Sequence, residues 1–225
     1  MIRRFETYAF LPGTPEQMRK RLAEVLGHCH RYIPEVIHNA VGWNDTDSPS
    51  ELVWEHAYES AEAYRRYMVH PYHADLIDRY VLPDAPERVV EPITGAGLFG
   101  YHCPEASFVL KPGEARRVVL LRFEKAGAER GRVEGRAVAF AGAASEAGKN
   151  AGAIMSVVGT NTLANTWFDG ETPHGPPPRW SHIWEQGYGD LATLEEHGSS
   201  TGADFLHEQG VERFIELRYE VLEPD

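Results

Sequence analysis

The stretch Trp54-Glu55-His56-Ala57-Tyr58 decides the fold, because it recurs later in the chain as Trp184-Glu185-Gln186-Gly187-Tyr188. Further matches keep the same order along the chain: Arg3-Arg4 with Arg116-Arg117, Val41–Asn44 with Val158–Asn161, Ala74–Leu76 with Ala203–Phe205, and Glu87–Glu91 with Glu212–Glu216. Their offsets change along the chain, as expected for two copies whose loops differ in length. The sequence therefore predicts an internal duplication.

Local signals predict the same order of elements in each copy. Pro12-Gly13 ends a first strand, and Thr14 followed by Pro15 predicts an N-cap and the first position of a helix. Ser60 is predicted to cap the second helix of the first copy. The strands predicted for that copy are residues 2–10, Val36–Trp43, Leu52–Tyr58 and Arg88–Pro92.

Two strand-helix-strand-strand-helix-strand units predict an α+β protein built from two fused ferredoxin-like repeats. Such a sheet carries helices on one face only, so two sheets packed face to face bury both bare faces. We therefore expect an intramolecular dimeric α+β barrel. The predicted organisation is a first repeat at 1–93, a linker at 94–114 rich in Gly and Pro, and a second, degenerate repeat at 115–225.

Charge and hydropathy limit the partners of the chain. It has 22 basic and 34 acidic residues, a net charge of −12, so a nucleic-acid surface is not expected. No apolar run has the length of a membrane span or a signal peptide. We expect a cytoplasmic protein, a monomer or a homodimer of fused barrels, that binds a small molecule.

The first strand carries polar residues at every second position, namely Arg4, Glu6 and Tyr8. In one register these residues face the helices, where burial requires Arg4 and Glu6 to pair with each other or with a substrate. In the opposite register Phe5, Thr7 and Ala9 face inward and the charges lie in solvent. Hydrophobicity alone does not decide between the two registers.

Residues Trp54–Tyr58, Ser60 and the segment Tyr67-Met68-Val69-His70-Pro71-Tyr72-His73 resemble the stress-responsive dimeric A/B barrel family. The chain resembles its tandem-repeat members, and its first half is similar to the olivetolic acid cyclase-like proteins. The resemblance implies a pocket between the first sheet and its helices. It also favours the register in which Arg4, Glu6 and Tyr8 face that pocket.

The resemblance implies that Tyr67 and His73 are catalytic. His73 would act as general base beside a carbonyl, and the Tyr67 hydroxyl would donate a hydrogen bond to the enolate oxygen. The function implied is a cofactor-free acid/base enzyme of lyase, cyclase or isomerase type, acting on a small polar carbonyl-containing molecule. No metal or other cofactor is expected. The second half has His197 and Gly202 at the matching positions, which implies one functional pocket per chain.

Seven further residues are predicted to line this pocket and bind the substrate. They are Arg4, Glu6, Tyr8, Asn39, Trp54, His56 and His70. Arg4 and Asn39 are the expected partners of a substrate carboxylate or carbonyl. A structural role at a helix end is the alternative for His70.

Other functions remain open from the sequence. The chain could be a non-catalytic stress-response protein that binds a small molecule, or a cofactor-independent oxygenase using the same pocket. A metal-dependent enzyme would use Glu6, His56 and His73 as ligands. The cluster His28-Cys29-His30 is a weaker metal candidate, and Gly95–Gly100 matches a dinucleotide motif without the strand and helix context that such a motif needs.

Overall fold

The computed structural model describes residues 1–91, 98–102, 111–123, 130–161, 180–198 and 202–223. These residues form an α+β fold with two four-stranded antiparallel sheets. Both halves have the ferredoxin-like strand arrangement expected from the sequence. No helix in the described ranges is long and apolar enough to cross a membrane.

The first sheet has the order β2-β3-β1-β4, so the strand that begins the chain is central. Its strands are β1 (Ile2–Tyr8), β2 (His38–Trp43), β3 (Leu52–Tyr58) and β4 (Leu98–His102). Its helices are α1 (Glu16–Tyr32), α2 (Ala61–Met68) and α3 (Asp78–Val81), the last preceded by a π-helical turn at Tyr72–Ile77. π-helical turns are rare and occur frequently at functional sites.

The second sheet repeats this order as β6-β7-β5-β8. Its strands are β5 (Ala115–Arg122), β6 (Met155–Thr160), β7 (His182–Tyr188) and β8 (Arg213–Glu220). Its helices are α4 (Arg130–Asn150), α5 (Leu191–Gly198) and α6 (Ala203–Glu208). The predicted pairing of Trp54–Tyr58 with Trp184–Tyr188 places these segments in β3 and β7, which hold the same position in their sheets.

The two sheets pack against each other through their helix-free faces. One apolar cluster combines Phe5 and Val53 of the first sheet with Val118, Ile183 and Leu217 of the second. The sheet edges also meet, because the backbone N–H of Leu222 donates to the carbonyl of Val41 at 2.9 Å. At the other edge β4 contacts β6.

Four charged side chains lie between the sheets and are almost completely buried. The Arg3 guanidinium lies 2.6 Å from the Glu55 carboxylate and 3.1 Å from that of Glu185. Arg116 lies 3.1 Å from Glu55 and 3.3 Å from Glu185. Each cation thus contacts one carboxylate of its own half and one of the other half. We call these four residues the intersheet ion cluster.

The predicted fourth strand and linker are wrong in position. Val90 makes only an isolated bridge to Phe10, and the strand that pairs with β1 is Leu98–His102. The 94–114 segment therefore contributes a strand to the first sheet. Gly95–Gly97 lie outside the described residues, but Leu98–Gly100 belong to this strand and do not open a helix.

Of the two predicted helix caps, Ser60 is confirmed and Thr14 is wrong. Ser60 caps α2, where its hydroxyl accepts a hydrogen bond from the Ala63 backbone N–H at 3.2 Å. Thr14 is not a cap, since α1 begins after Pro15 without a side-chain cap. The Thr14 hydroxyl instead donates to the Leu11 carbonyl at 2.8 Å and therefore fastens the turn before the helix.

Gly42 of β2 lies against β8 of the second sheet at a close approach of the two backbones. A Cβ atom there would overlap the Tyr219 ring and lie 2.7 Å from the Glu220 carbonyl oxygen, which is backbone and cannot rotate away. We expect Gly42→Ala to lower the free energy of unfolding by about 1–3 kcal/mol, measured by chemical denaturation. The control is Gly142→Ala on α4, where a Cβ meets nothing within 4 Å. It should leave stability unchanged or raise it, and equal losses in both variants would contradict the close approach.

The burial of the intersheet ion cluster leads to a second prediction about stability. Glu55→Ala leaves Arg3 and Arg116 buried with only one carboxylate between them, so we expect a loss of about 3–5 kcal/mol in the free energy of unfolding. Glu62→Ala is the matched control, because Glu62 pairs with Arg66 at 3.1 Å on an exposed helix face. It should cost less than about 1 kcal/mol. Similar costs for the two variants would show that the cluster does not hold the sheets together.

Candidate active site

Strand β1 is buried along its whole length, so both of its faces meet other elements. Arg3 and Phe5 face the second sheet. Arg4, Glu6 and Tyr8 face the helices, which is the polar register considered from the sequence. The opposite register, with the charges in solvent, is wrong because no face of β1 is exposed.

Glu6 is the centre of the polar contacts on the helix-facing side. Its carboxylate lies 3.1 Å from the Arg4 guanidinium and 3.4 Å from Nε2 of His56. It also accepts a hydrogen bond of 2.7 Å from the Tyr8 hydroxyl. Burial alone would raise the pKa of Glu6, but Arg4, His56 and Tyr8 lower it to about 2. Glu6 is therefore ionised at neutral pH.

Arg4 is held by an aromatic residue that sequence reasoning missed. Its guanidinium donates to the hydroxyl of Tyr64 on α2, and the guanidinium carbon lies 4.8 Å from the centre of the same ring. Tyr64 sits at a core position of an amphipathic helix, so its sequence context indicates packing rather than polar contact. Its hydroxyl nevertheless holds the Arg4 guanidinium in place opposite Glu6.

His56 joins Glu6 to a second missed residue, Tyr58. Nδ1 of His56 lies 2.6 Å from the Tyr58 hydroxyl, and its ring stacks on Trp54 at 4.0 Å between centroids. Burial lowers the pKa of His56 to about 4 despite the nearby Glu6 carboxylate. In the neutral ring, Nδ1 accepts the Tyr58 proton, and Nε2–H faces Glu6 at 3.4 Å without hydrogen-bond geometry.

Tyr67 and His73, the predicted catalytic pair, lie side by side with ring centroids 4.3 Å apart. Nδ1 of His73 lies 3.2 Å from the Met68 carbonyl oxygen, so it carries the proton and leaves Nε2 as an acceptor. Burial lowers the pKa of His73 to about 4. The Tyr67 hydroxyl is buried and has no hydrogen-bond partner among the described residues.

The remaining solvent contact of this site lies beside Asp78. Glu6 and His73 each retain 7% exposure, and the Asp78 side chain retains 22%. Asp78 lies 3.8 Å from Nδ1 of His73. Burial and the Glu6 charge raise the pKa of Asp78 to about 6. Asp78, which the sequence did not single out, therefore marks the side from which the site meets water.

The other predicted substrate-binding residues lie behind or beside this site. Trp54 Nε1–H donates to the Asn39 side-chain oxygen at 2.6 Å, and the Asn39 amide donates to the Leu26 and Gly27 carbonyls of α1. Asn39 is thus placed to orient Trp54. His70 accepts a hydrogen bond from the Tyr72 backbone N–H at 3.2 Å. This contact fits the alternative considered from the sequence, a structural role at a helix end.

The described residues contain no group of three His, Cys, Asp or Glu side chains arranged to hold a metal ion. Within the set Glu6, His56 and His73, the Nε2 atom of His56 faces Glu6 directly. In the His28–His30 segment, the buried Cys29 thiol donates to Asn39 at 3.2 Å, and burial raises its pKa. Neither predicted set is assembled as a metal site.

The matching face of the second sheet has Val119 at the position of Glu6 and Gln186 at the position of His56. The Trp184 indole N–H donates to the Ser156 hydroxyl at 2.9 Å, as Trp54 does to Asn39. Arg117 holds Gln186 and Glu216, each at 2.7 Å. Apolar side chains fill the remainder of this face: Val119, Leu121, Phe123, Phe140 and Leu206.

No family model matches the chain, and no curated protein matches it in sequence. Solved structures match its fold over almost the whole length. A proposed monooxygenase from Fusobacterium nucleatum has a TM-score of 0.56 at 10% identity, over 99% of this chain and 92% of its own. A proposed monooxygenase from Lactobacillus acidophilus has a TM-score of 0.51 at 10% identity, over 99% of this chain and 96% of its own.

A mutant chlorite dismutase from Candidatus Nitrospira defluvii has a TM-score of 0.52 at 10% identity, over 100% of this chain and 92% of its own. These similarities correct two expectations from the sequence. The resemblance to stress-responsive A/B barrels and olivetolic acid cyclase-like proteins is wrong, because the structural neighbours are named as monooxygenases and chlorite dismutases. The cofactor-free lyase, cyclase or isomerase is overturned by the same neighbours.

The buried histidines make stability depend on pH. The pKa of His73 falls from 6.5 in the unfolded chain to about 4 when folded, so the unfolded chain binds more protons between these values. The stability that the neutral, buried His73 contributes is fully present above pH 6.5 and is lost as the pH falls towards 4. We expect His73→Gln to make the decline in the free energy of unfolding over this range shallower than in the natural chain. His197→Gln is the control, because the side chain of His197 is 42% exposed. An unchanged decline in His73→Gln would contradict burial of a neutral imidazole.

Proposed function

We propose that the chain is an oxidative enzyme, an oxygenase that activates its substrate at the helix-facing site of the first half. The observation that carries the proposal is the buried Tyr67 hydroxyl, which has no hydrogen-bond partner in the described part of the chain and lies beside His73, whose Nε2 is left as an acceptor. A polar hydrogen that is buried without an acceptor is costly, and an anionic substrate oxygen would supply that acceptor. The names of the structural neighbours support the oxidative class.

We further propose the architecture that suits this function. The chain would be a tandem pair of ferredoxin-like units that form one dimeric α+β barrel. Because β4 would belong to the first unit, that unit would end beyond residue 93. The shared strand order and the intersheet ion cluster support this arrangement. The second unit then closes the barrel, while the first unit carries the acid/base groups.

In the proposed reaction, Nε2 of neutral His73 removes a proton from an acidic CH₂ group that is conjugated with a carbonyl through an aromatic ring. Tyr67 donates a hydrogen bond to the enolate oxygen that forms. The enolate reduces O₂ and forms a carbon–oxygen bond, which gives a hydroperoxide after proton uptake. Loss of the second C–H proton then breaks the O–O bond and releases water. The sum converts CH₂ and O₂ into C=O and H₂O, so atoms and electrons balance.

The surrounding side chains suit a flat aromatic substrate. Trp54, Tyr58 and Tyr67 form a continuous aromatic cluster with ring centroids 4.9 Å apart for Tyr58 and Tyr67, and 6.5 Å for Trp54 and Tyr67. Arg4 and Glu6 neutralise each other in this cluster, so a neutral substrate enters without burying an unpaired charge. Entry would take place beside Asp78 and requires the π-helical turn at Tyr72–Ile77 to move, because Tyr67 is fully buried.

Oxygen uptake tests this function. With anthrone as an enolisable ketone, we expect the protein to accelerate O₂ consumption and form the corresponding quinone. His73→Gln and Tyr67→Phe should each lower kcat by about 10²-fold or more, because each removes a group that acts on the enolate. His197→Gln, the matching position in the second half, should keep the rate. Measurements with a chelator reveal any dependence on a metal ion.

Two results would contradict the proposal. One is the absence of protein-dependent O₂ uptake with anthrone, and the other is uptake that persists in both active-site variants. A non-catalytic binding protein is the second candidate, favoured by the nearly complete burial of the site. Recovery of a tightly bound aromatic molecule that stays unchanged in air would support that candidate instead.

A further inference from the structure

Tyr58 and His56 form a hydrogen-bonded pair whose polar atoms the proposed oxygenase reaction does not use. The Tyr58 hydroxyl lies 2.6 Å from Nδ1 of His56, and the two rings meet edge-on at 88° with centroids 5.3 Å apart. Both side chains are buried, with 0% and 1% exposure. The phenol and the imidazole therefore share a short hydrogen bond that is shielded from water.

The position of Glu6 determines the direction of this hydrogen bond. Nε2 of His56 lies 3.4 Å from the Glu6 carboxylate. A lone pair on Nε2 would face a negative charge, so the neutral ring carries its proton there and leaves Nδ1 as the acceptor. Tyr58 is thus the donor, and the base that receives its hydrogen bond has a carboxylate on its far side.

This arrangement suits the loss of one electron from Tyr58. Burial raises the pKa of Tyr58 well above 10, so the hydroxyl keeps its proton at neutral pH until it is oxidised. A phenol that has lost an electron is a far stronger acid than an imidazolium, so its proton then passes to Nδ1 of His56. The imidazolium that forms faces Glu6, and opposite charges attract strongly in a buried site.

The neighbouring rings connect Tyr58 to the rest of the site. Its ring centroid lies 4.9 Å from that of Tyr67 and 5.2 Å from that of Tyr64. The His56 ring stacks on Trp54 at 4.0 Å. Rings this close exchange an electron readily, so Tyr58 can reduce a radical that forms beside Tyr67. The Tyr67 hydroxyl itself has no hydrogen-bond acceptor among the described residues.

Two other tyrosine hydroxyls of this site are less suited to oxidation. The Tyr64 hydroxyl accepts a hydrogen bond from the Arg4 guanidinium, and this cation opposes the loss of an electron from the ring. The Tyr8 hydroxyl donates to Glu6 at 2.7 Å. A proton transferred to Glu6 would remove the negative charge that faces the buried Arg4, which is costly. Tyr58 is therefore the preferred electron donor.

We propose that Tyr58 is a redox-active tyrosine that reduces oxygen-centred organic radicals in the first-half site. The radical gains one electron and becomes an anion, Tyr58 loses one electron, and the Tyr58 proton moves to Nδ1 of His56. The products are a neutral tyrosyl radical, an imidazolium and the organic anion, so the site as a whole gains no charge. This activity goes beyond the proposed oxygenase and needs none of its substrate, so the two proposals can fail separately.

Flash photolysis with tris(bipyridine)ruthenium and a cobalt(III) acceptor tests the pair, because the ruthenium(III) complex that forms is a one-electron oxidant. We expect a long-lived tyrosyl signal in the electron paramagnetic resonance spectrum, and its loss in Tyr58→Phe. The signal should contain an exchangeable proton coupling that His56→Gln removes. Tyr219→Phe is the matched control, because Tyr219 is equally buried but its hydroxyl has no hydrogen-bond partner among the described residues. It should keep the signal.

The rate of radical formation separates the redox role from packing. His56→Gln should slow it by about 10²-fold or more, because the base at the hydroxyl is lost. The natural chain should form the radical more slowly in D₂O, since a proton moves with the electron. Equal signals in the natural chain and Tyr58→Phe, no long-lived tyrosyl signal at all, or an unchanged rate in His56→Gln would overturn the proposal.

A labelling experiment covers the case in which the variants do not fold. Histidine labelled with a heavy nitrogen isotope is incorporated into the natural chain, and the same photolysis is repeated. We expect the tyrosyl radical to show a coupling to the labelled nitrogen, because His56 Nδ1 is its hydrogen-bond partner. A tyrosyl radical without this coupling would contradict the pair.

Discussion

The intersheet ion cluster is the interaction on which the rest of this structure depends. Arg3 and Arg116 share the carboxylates of Glu55 and Glu185, so every charge in the group has partners from both sheets. Burial by itself would raise the pKa of Glu55, yet Arg116, His38 and Arg3 lower it and keep the carboxylate ionised. Charges buried this deeply are tolerated only while all partners are present, which ties the position of each sheet to the other.

The same strands that build this cluster also build the candidate active site, through the alternation of side chains in a strand. On β3, Glu55 faces the other sheet, while its neighbours Trp54 and His56 face the helices. On β1, Arg3 and Arg4 are divided in the same way. A shift of one residue in the register would exchange the two sets, leaving carboxylates unpaired on both faces. The ion cluster thereby fixes the orientation of the residues opposite Tyr67 and His73.

The sequence predicted the strands that contain the recurring Trp-Glu motif, because their charged and aromatic residues recur in order. It misplaced the fourth strand, since Val89 and Val90 have strong strand propensity but form only a bridge, whereas Leu98–His102 follows a Gly-rich segment typical of a linker. Tyr58 and Tyr64 were missed because an aromatic residue at a core position indicates packing, and only the folded chain brings its hydroxyl to a polar partner.

The arrangement of charges explains how the site can hold an ionised carboxylate, a neutral base and a second carboxyl group together. Pairing with Arg4 keeps Glu6 ionised, while burial keeps His73 neutral, so the two groups do not compete for one proton at neutral pH. Asp78 is partly exposed, and its pKa is raised to about 6, above the value of about 4 for His73. As the pH falls, the first proton therefore binds at the partly exposed Asp78, and His73 keeps its acceptor nitrogen.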